Sequence, residues 1–235
     1  DIDLLEEKLR VAKLNNALPK LVIPVHFAGA SCDMKRINKL AQIYNFYIIE
    51  DASHALGGEY LDTKVGSCKY SDITVFSFHP VKIITSGEGG MATTNNPDLM
   101  NRMRLYRSHG ITKESQDFVC EHVGPWSYEQ QVLGYNYRMT DFAAALGMSQ
   151  LKRLTSIVHE RNLIYNYYKE KLANLDVAIL SIPEYSKSSV HLVVLLIDDI
   201  GNQSASQISL YNHLHSHSIG AQIHYEPVHL QPFYQ

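Results

Sequence analysis

Three short apolar runs constrain this chain more than any other feature. They are Leu21-Val22-Ile23-Pro24-Val25-His26-Phe27, Phe46-Tyr47-Ile48-Ile49 and Ile73-Thr74-Val75-Phe76-Ser77-Phe78. Each is too short for an ordinary helix and nearly continuous in apolar character. Runs of that kind are strands of a parallel sheet with helices on its faces. A helix separates the first two: Asp33 is placed to cap it, and Ile37, Leu40, Ala41 and Tyr44 form its apolar face. Strand, helix, strand is a βαβ unit, whose crossover is right-handed. Pro24 brings no N–H and weakens the first strand.

The rest of the pattern extends this unit. Leu5, Leu9 and Ala12 predict a helix over 3–15. Gly87-Glu88-Gly89-Gly90 interrupts the chain, and Met91-Ala92-Thr93-Thr94 reads as a short strand. Asn96-Pro97 starts a helix with Leu99, Met103 and Tyr106 on its apolar face, ending at Gly110. Residues 111–135 read as loop. A helical pattern over 140–172 is too long for one ordinary helix, so a break is expected inside it. Beyond lie an expected strand at 190–197, a helix at 204–217 and a strand at 221–225. These elements give an α/β chain with a mixed, mostly parallel sheet flanked by helices, plus a smaller α+β C-terminal domain. The boundary is expected near residue 150, dividing 1–150 from 151–235. The chain opens without Met and stops on Gln231-Pro232-Phe233-Tyr234-Gln235, so it reads as truncated at both ends.

Composition excludes several classes. With 45% hydrophobic residues, 15 Tyr and 7 Phe the chain needs a core and is not disordered. A formal net charge of -3 argues against nucleic acid as a partner. The longest apolar stretch, Val193-Val194-Leu195-Leu196-Ile197, is far short of a membrane span. Cys32, Cys68 and Cys120 are odd in number and form no CxxC pair, which points to a reducing compartment. A cytoplasmic protein that engages no membrane is the expectation.

Asp51, Ser77 and Lys82 stand at or just past strand ends, where open α/β sheets bind ligands. Most lysines are solvated, but Lys82 has apolar flanks and a glycine cluster behind it. A desolvated lysine amine is a nucleophile suited to Schiff-base chemistry. Asp51 reads either as a helix N-cap or as a carboxylate facing a pyridine nitrogen, the arrangement that makes such a ring an electron sink. Ser77 is either a strand hydroxyl or a phosphate donor. His54 is either an interior histidine or a neighbour of a cofactor ring. A second constellation, His213, His215, His217, His224 and His229, gives a metal-dependent hydrolase as the alternative. No HExxH accompanies it, and a polar helix face explains most of it.

Two longer motifs carry a resemblance. They are Ile49-Glu50-Asp51-Ala52-Ser53-His54-Ala55, and Phe76-Ser77-Phe78-His79-Pro80-Val81-Lys82 with Ile83 to Met91 after it. Arg107-Ser108-His109-Gly110, Leu133 to Asp141 and His224 to Pro232 follow in the same order. Together they resemble the DegT/DnrJ/EryC1/StrS family of sugar-nucleotide aminotransferases, which depend on pyridoxal 5'-phosphate (PLP). The Val25-His26-Phe27-Ala28-Gly29 stretch and the Ser53-His54 pair look most like the subgroup serving UDP-4-amino-4,6-dideoxy-N-acetyl-altrosamine, a pseudaminic acid precursor. The resemblance implies PLP-transferase fold type I and a homodimer with the active site at its interface. It also implies amino transfer from glutamate to a 4-keto-6-deoxy sugar nucleotide, through an aldimine at Lys82 and pyridoxamine phosphate. In that scheme Lys82 is the catalytic lysine and Asp51 pairs with the pyridine nitrogen. His54 lies beside the 3-hydroxyl, Ser77 binds phosphate, and Asn136 reaches the phosphate from the partner subunit. Gln222, His224 and Tyr225 contact the sugar nucleotide. Some relatives with His in place of this lysine are dehydratases, so Lys82 favours transamination, and a non-catalytic PLP-fold fragment stands beside the metal-dependent hydrolase as the second alternative.

Overall fold

The computed structural model describes residues 1–121, 124–175, 177–197 and 203–235. Residues 122 and 123, inside the expected loop, lie outside the described residues. The helices are α1 (Ile2–Leu14), α2 (Met34–Tyr44), α3 (Pro97–Arg107), α4 (Asp141–Leu151), α5 (Leu154–Lys171) and α6 (Gln203–Ser216). The strands are β1 (Leu21–Val22), β2 (Tyr47–Asp51), β3 (Glu59–Tyr60), β4 (Thr63–Lys64), β5 (Ile73–Ser77) and β6 (Gly90–Thr93). Short strands β7 (Ile111–Thr112), β8 (Glu129–Gln130), β9 (Ala178–Ile179), β10 (Ser186–Lys187) and β11 (Leu195–Leu196) complete the set. The chain divides into two compact units. One is Asp1–Tyr167 with Ser181–Val193, and the other is Tyr168–Leu180 with Val194–Gln235.

The first unit is built on a four-stranded mixed sheet in the order β1-β2-β5-β6. β1, β2 and β5 run parallel, and β6 returns antiparallel to β5. Pro24 shortens β1 to two residues, because it has no N–H for the ladder. Its carbonyl still accepts from Asp51 N at 2.9 Å, and His26 N donates to Asp51 O at 3.0 Å, so the pairing resumes beyond the proline.

Strand alternation separates two kinds of residue. Phe46, Ile48 and Glu50 point to one face with Thr74, Phe76 and Phe78, and all six are buried. That face carries both core clusters. One joins Leu9, Met34, Ile37, Leu40, Phe46, Ile48 and Tyr60, so α1 and α2 pack there. The other joins Ala52, Ala55, Phe76, Phe78 and Ile84, with Leu154 and Ile157 of α5 against it. The opposite face is open. Tyr47 is 68% exposed and Val75 38%. The runs are therefore not buried on both sides, because the described helices cover one face only.

Local signals fix the helix ends. The Asp33 side chain accepts from Arg36 N, and Asn45 closes α2 in the left-handed conformation. Asn96 caps α3, with Pro97 in the first turn. The expected break in the long helical pattern falls at Lys152 and Arg153, between α4 and α5. Two expected strands change. Over 190–197 only Leu195–Leu196 is a strand, and it pairs with β9 in the second unit. Upstream of it the backbone N–H of His191 bonds Ala28 O instead of a ladder. Residues 221–225 form no strand, for they are largely exposed and have no partner strand among the described residues. Cys32, Cys68 and Cys120 are free thiols. Among the described residues no helix is long and apolar enough to cross a membrane.

One polar cluster lies inside the core. Glu50 accepts from His26 Nε2 at 2.7 Å, from Thr74 Oγ1 at 2.9 Å and from Ser71 Oγ. Cys32 N donates to His26 Nδ1 at 3.2 Å, which places the imidazole proton on Nε2, facing Glu50. Burial works to raise the Glu50 carboxyl, but these three donors bring it below its ordinary value. Removing the acceptor strands two buried donors, His26 and Thr74, and the half-buried Ser71, so Glu50→Leu should cost about 3 kcal/mol in urea unfolding. A group with a depressed folded pKa contributes fully above the unfolded value of about 4.3 and loses that contribution as pH falls through the folded value. The parent should therefore lose stability below about pH 4, and Glu50→Leu should show a shallower acid slope. Equal slopes in the two proteins would remove Glu50 from the account.

Candidate active site

β2 and β5 are adjacent and parallel, with Asp51 opposite Val75 in register. Asp51 and Ser77 end their strands on the same, open face. A strand spacing of about 4.8 Å and a rise of about 3.3 Å per residue put their Cα atoms about 8 Å apart. Both are half-buried. The Asp51 carboxylate accepts from Ser53 N at 3.0 Å, which turns the chain sharply after the strand. The Ser77 hydroxyl accepts from His79 N at 3.4 Å.

Lys82 sits in the turn that follows Ser77. Lys82 N donates to His79 O at 2.9 Å, and Ser86 N closes the turn on Phe78 O at 3.0 Å. Ile83 and Ile84, each 3% exposed, anchor the turn in the core, while Val81 is 60% exposed. Lys82 itself is half-buried, and its ammonium has no ion pair among the described residues.

His54 lies in the turn after β2. Its ring is 4.4 Å from the ring of His191 and 6.0 Å from that of Phe27. Periodicity missed His191, because Ser188-Ser189-Val190-His191 reads as the start of a strand. Burial first, then the charges of His54, Lys82 and Arg161, push His191 down to about 4, so it is neutral at pH 7. Asp51 and Ser77 thus end adjacent strands, with Lys82 in the turn after one and His54, its ring against His191, in the turn after the other.

The remaining candidates lie elsewhere. Asn136 forms an isolated antiparallel bridge with Ser108 and is exposed, between Tyr135 and Tyr137 whose rings stack at 4.8 Å. Gln222, His224 and Tyr225 belong to the second unit, all exposed, with the His224 and Tyr225 rings 4.5 Å apart. The His213 ring near the end of α6 lies 4.4 Å from that of His217 just past it, and His217 Nδ1 bonds His213 O. No group of three or more His, Cys, Asp or Glu among the described residues is arranged to hold a metal ion.

A family model of the DegT/DnrJ/EryC1/StrS aminotransferases matches residues 1–235, from end to end. The chain belongs to this family. It is 40% identical over 233 residues to the UDP-4-amino-4,6-dideoxy-N-acetyl-beta-L-altrosamine transaminase of Campylobacter jejuni subsp. jejuni serotype O:23/36, covering 98% of this chain and 58% of that protein. Among solved structures it resembles Helicobacter pylori PseC, an aminotransferase involved in the biosynthesis of pseudoaminic acid. The TM-score is 0.83 at 34% identity, over 97% of this chain and 58% of that one. The PMP-form of the sugar aminotransferase Spr1654 from Streptococcus pneumoniae follows with a TM-score of 0.82 at 29% identity, over 100% of this chain and 61% of that one. The chain therefore spans about three-fifths of the relatives it matches. The α/β fold with its mixed sheet is the fold of these aminotransferases.

In this family member the strand-end site is braced by a crossing segment. Ser189 N donates to Gly29 O at 3.2 Å, and Ser189 Oγ donates to His54 O at 3.0 Å. Gly29 holds φ +105, and a Cβ there would lie 2.8 Å from Val190 N and 2.9 Å from His191 N. Gly29→Ala should therefore cost at least about 2 kcal/mol and loosen the segment around His191. Chemical unfolding with amide exchange at 188–192 measures both. Unchanged stability would mean the close approach is not required.

Proposed function

We propose that this chain is the core of a PLP-dependent sugar-nucleotide aminotransferase. The amino donor is glutamate and the acceptor is a 4-keto-6-deoxy sugar nucleotide, UDP-linked as in the altrosamine transaminases. One observation carries this. Two adjacent parallel strands end in Asp51 and Ser77 on one face, and the turn after Ser77 presents an amine that has no ion pair among the described residues. The donor set suits a ring with a basic nitrogen, an aldehyde and a phosphate: a carboxylate, an amine, a hydroxyl and a half-buried imidazole.

When bound, PLP supplies an aldehyde that captures amines and a ring that absorbs electrons. Everything else falls to side chains. The Lys82 amine is the attachment point. With the cofactor bound, its Nζ would take a proton from the α-carbon of glutamate in one half of the reaction and would deliver a proton to C4 of the sugar in the other. Asp51 keeps the ring nitrogen protonated, which makes the ring an effective sink. His54 stands beside the 3-hydroxyl, and Ser77 Oγ donates to a phosphate oxygen. Asn136 reaches the phosphate of a second copy across a homodimer. Gln222, His224 and Tyr225 contact the nucleotide sugar. The cytoplasm is the proposed location, in keeping with three free cysteines.

Borohydride reduction after mixing with PLP should leave a pyridoxyl group on the peptide containing Lys82, found by mass. Lys82→Ala should lose both the label and turnover. A label on another lysine, or full activity in Lys82→Ala, would sink the proposal. Asp51→Asn should retain the label but lower turnover by at least about a hundredfold, since the ring nitrogen loses its counter-charge. Parental turnover in Asp51→Asn would remove its assigned role.

A further inference from the structure

Two segments that are distant in sequence meet just after α3. Tyr137 N donates to Arg107 O at 2.9 Å and His109 N to Tyr135 O at 2.8 Å, one on each side of the antiparallel bridge between Ser108 and Asn136. Two bonds that flank a pair in this way leave the pair itself unbonded, with Cα atoms about 4.5 Å apart and side chains close together on one side. Ser108 and Asn136 therefore stand side by side. The backbone is shaped to allow it. His109 holds φ 60, and a Cβ on Gly134 would lie 2.2 Å from Gly110 N.

A third group joins the pair. Arg107 Nε donates to Ser108 Oγ at 3.5 Å, which sets the guanidinium beside the hydroxyl. Arg107 has no ion pair among the described residues. The Ser108 hydroxyl proton and the Asn136 amide have no acceptor among them either. Arg107 and Asn136 are exposed and Ser108 is half-buried, so a ligand can reach the group from solvent. A guanidinium, a hydroxyl and an amide offer several donors and one positive charge at one place, with no carboxylate bonded to any of them. Such a set suits an anion with several oxygens, and the planar fork of a guanidinium matches a phosphate group in particular.

We propose that Arg107, Ser108 and Asn136 form one cradle for a phosphate group. This deepens the reading above, on which it rests, since that reading gives the phosphate to Asn136 alone. The phosphate is that of the cofactor or one of the diphosphate of the sugar nucleotide.

Two variants of the whole chain, R107Q and S108A, test this. Binding is read from the Ser108 backbone amide and the Asn136 side-chain amide in nitrogen-15 spectra, during titration with inorganic phosphate, PLP or UDP-N-acetylglucosamine. In the parent these signals should move with inorganic phosphate and with at least one of the organic probes. R107Q should bind that probe about tenfold more weakly and S108A about threefold, with urea unfolding unchanged in both. Weaker binding of PLP assigns the cofactor phosphate, and weaker binding of UDP-N-acetylglucosamine assigns the diphosphate. Signals that stay still with all three probes would overturn the proposal. So would movement with inorganic phosphate alone, which marks an adventitious ion only, or variants that bind both organic probes as the parent does. A marked loss of stability in both variants would also overturn it, since the groups would then serve the fold. A parent without pyridoxyl label on Lys82, whose cradle still binds UDP-N-acetylglucosamine, would fell the cofactor assignment and leave the cradle standing. A labelled parent whose cradle signals stay still overturns the cradle alone.

Discussion

Glu50 ties the first unit together. Its carboxylate is buried at 5% exposure and takes hydrogen bonds from three places in the chain: His26 beyond β1, Ser71 before β5 and Thr74 within β5. A buried charge is tolerated only when it is so satisfied. The cluster therefore stands or falls with the order and register of the three parallel strands. A slip of one residue would bring the carboxylate to the open face and leave His26 and Thr74 without an acceptor.

That register also creates the site. Successive residues of a strand point to opposite faces, so placing Glu50 in the core places Asp51 on the open face. Ser77 follows by the same parity, two positions past the residue opposite Asp51. The chain then turns, and Ile83 and Ile84 hold that turn to the core while Lys82 stays half-buried. Chemistry gathers at the carboxyl edge because the strands end there with side chains and backbone groups not yet committed to the sheet.

Much of this was legible before any coordinates. Apolar runs marked β2 and β5, and Asp33 and Asn96 marked helix starts, because capping is chemistry between near neighbours. The strand ends at Asp51 and Ser77 were legible for the same reason. His191 was not. Its place depends on Gly29, Ala28 and Arg161, which are far away in sequence, and no periodicity encodes that meeting. The pattern over 190–197 also misled, since an apolar run cannot say whether its N–H groups will find a strand or a carbonyl of another segment. The segment 221–225 misled in the opposite sense, for a β-favouring sequence forms no strand without a partner.

The sequence by itself determined the βαβ order, the helix caps and the motifs around Asp51 and Lys82, which are also what place the chain in the DegT/DnrJ/EryC1/StrS family. These are local properties, set by side chains within a few residues of one another. Only the tertiary structure decided which face of the sheet is covered, that His26, Ser71 and Thr74 meet at Glu50, and that a strained Val190 brings His191 against His54. Those outcomes come from long-range closure. Contacts between segments that are distant in sequence form only when the whole unit packs, and their energy can then hold a backbone that no local preference would choose.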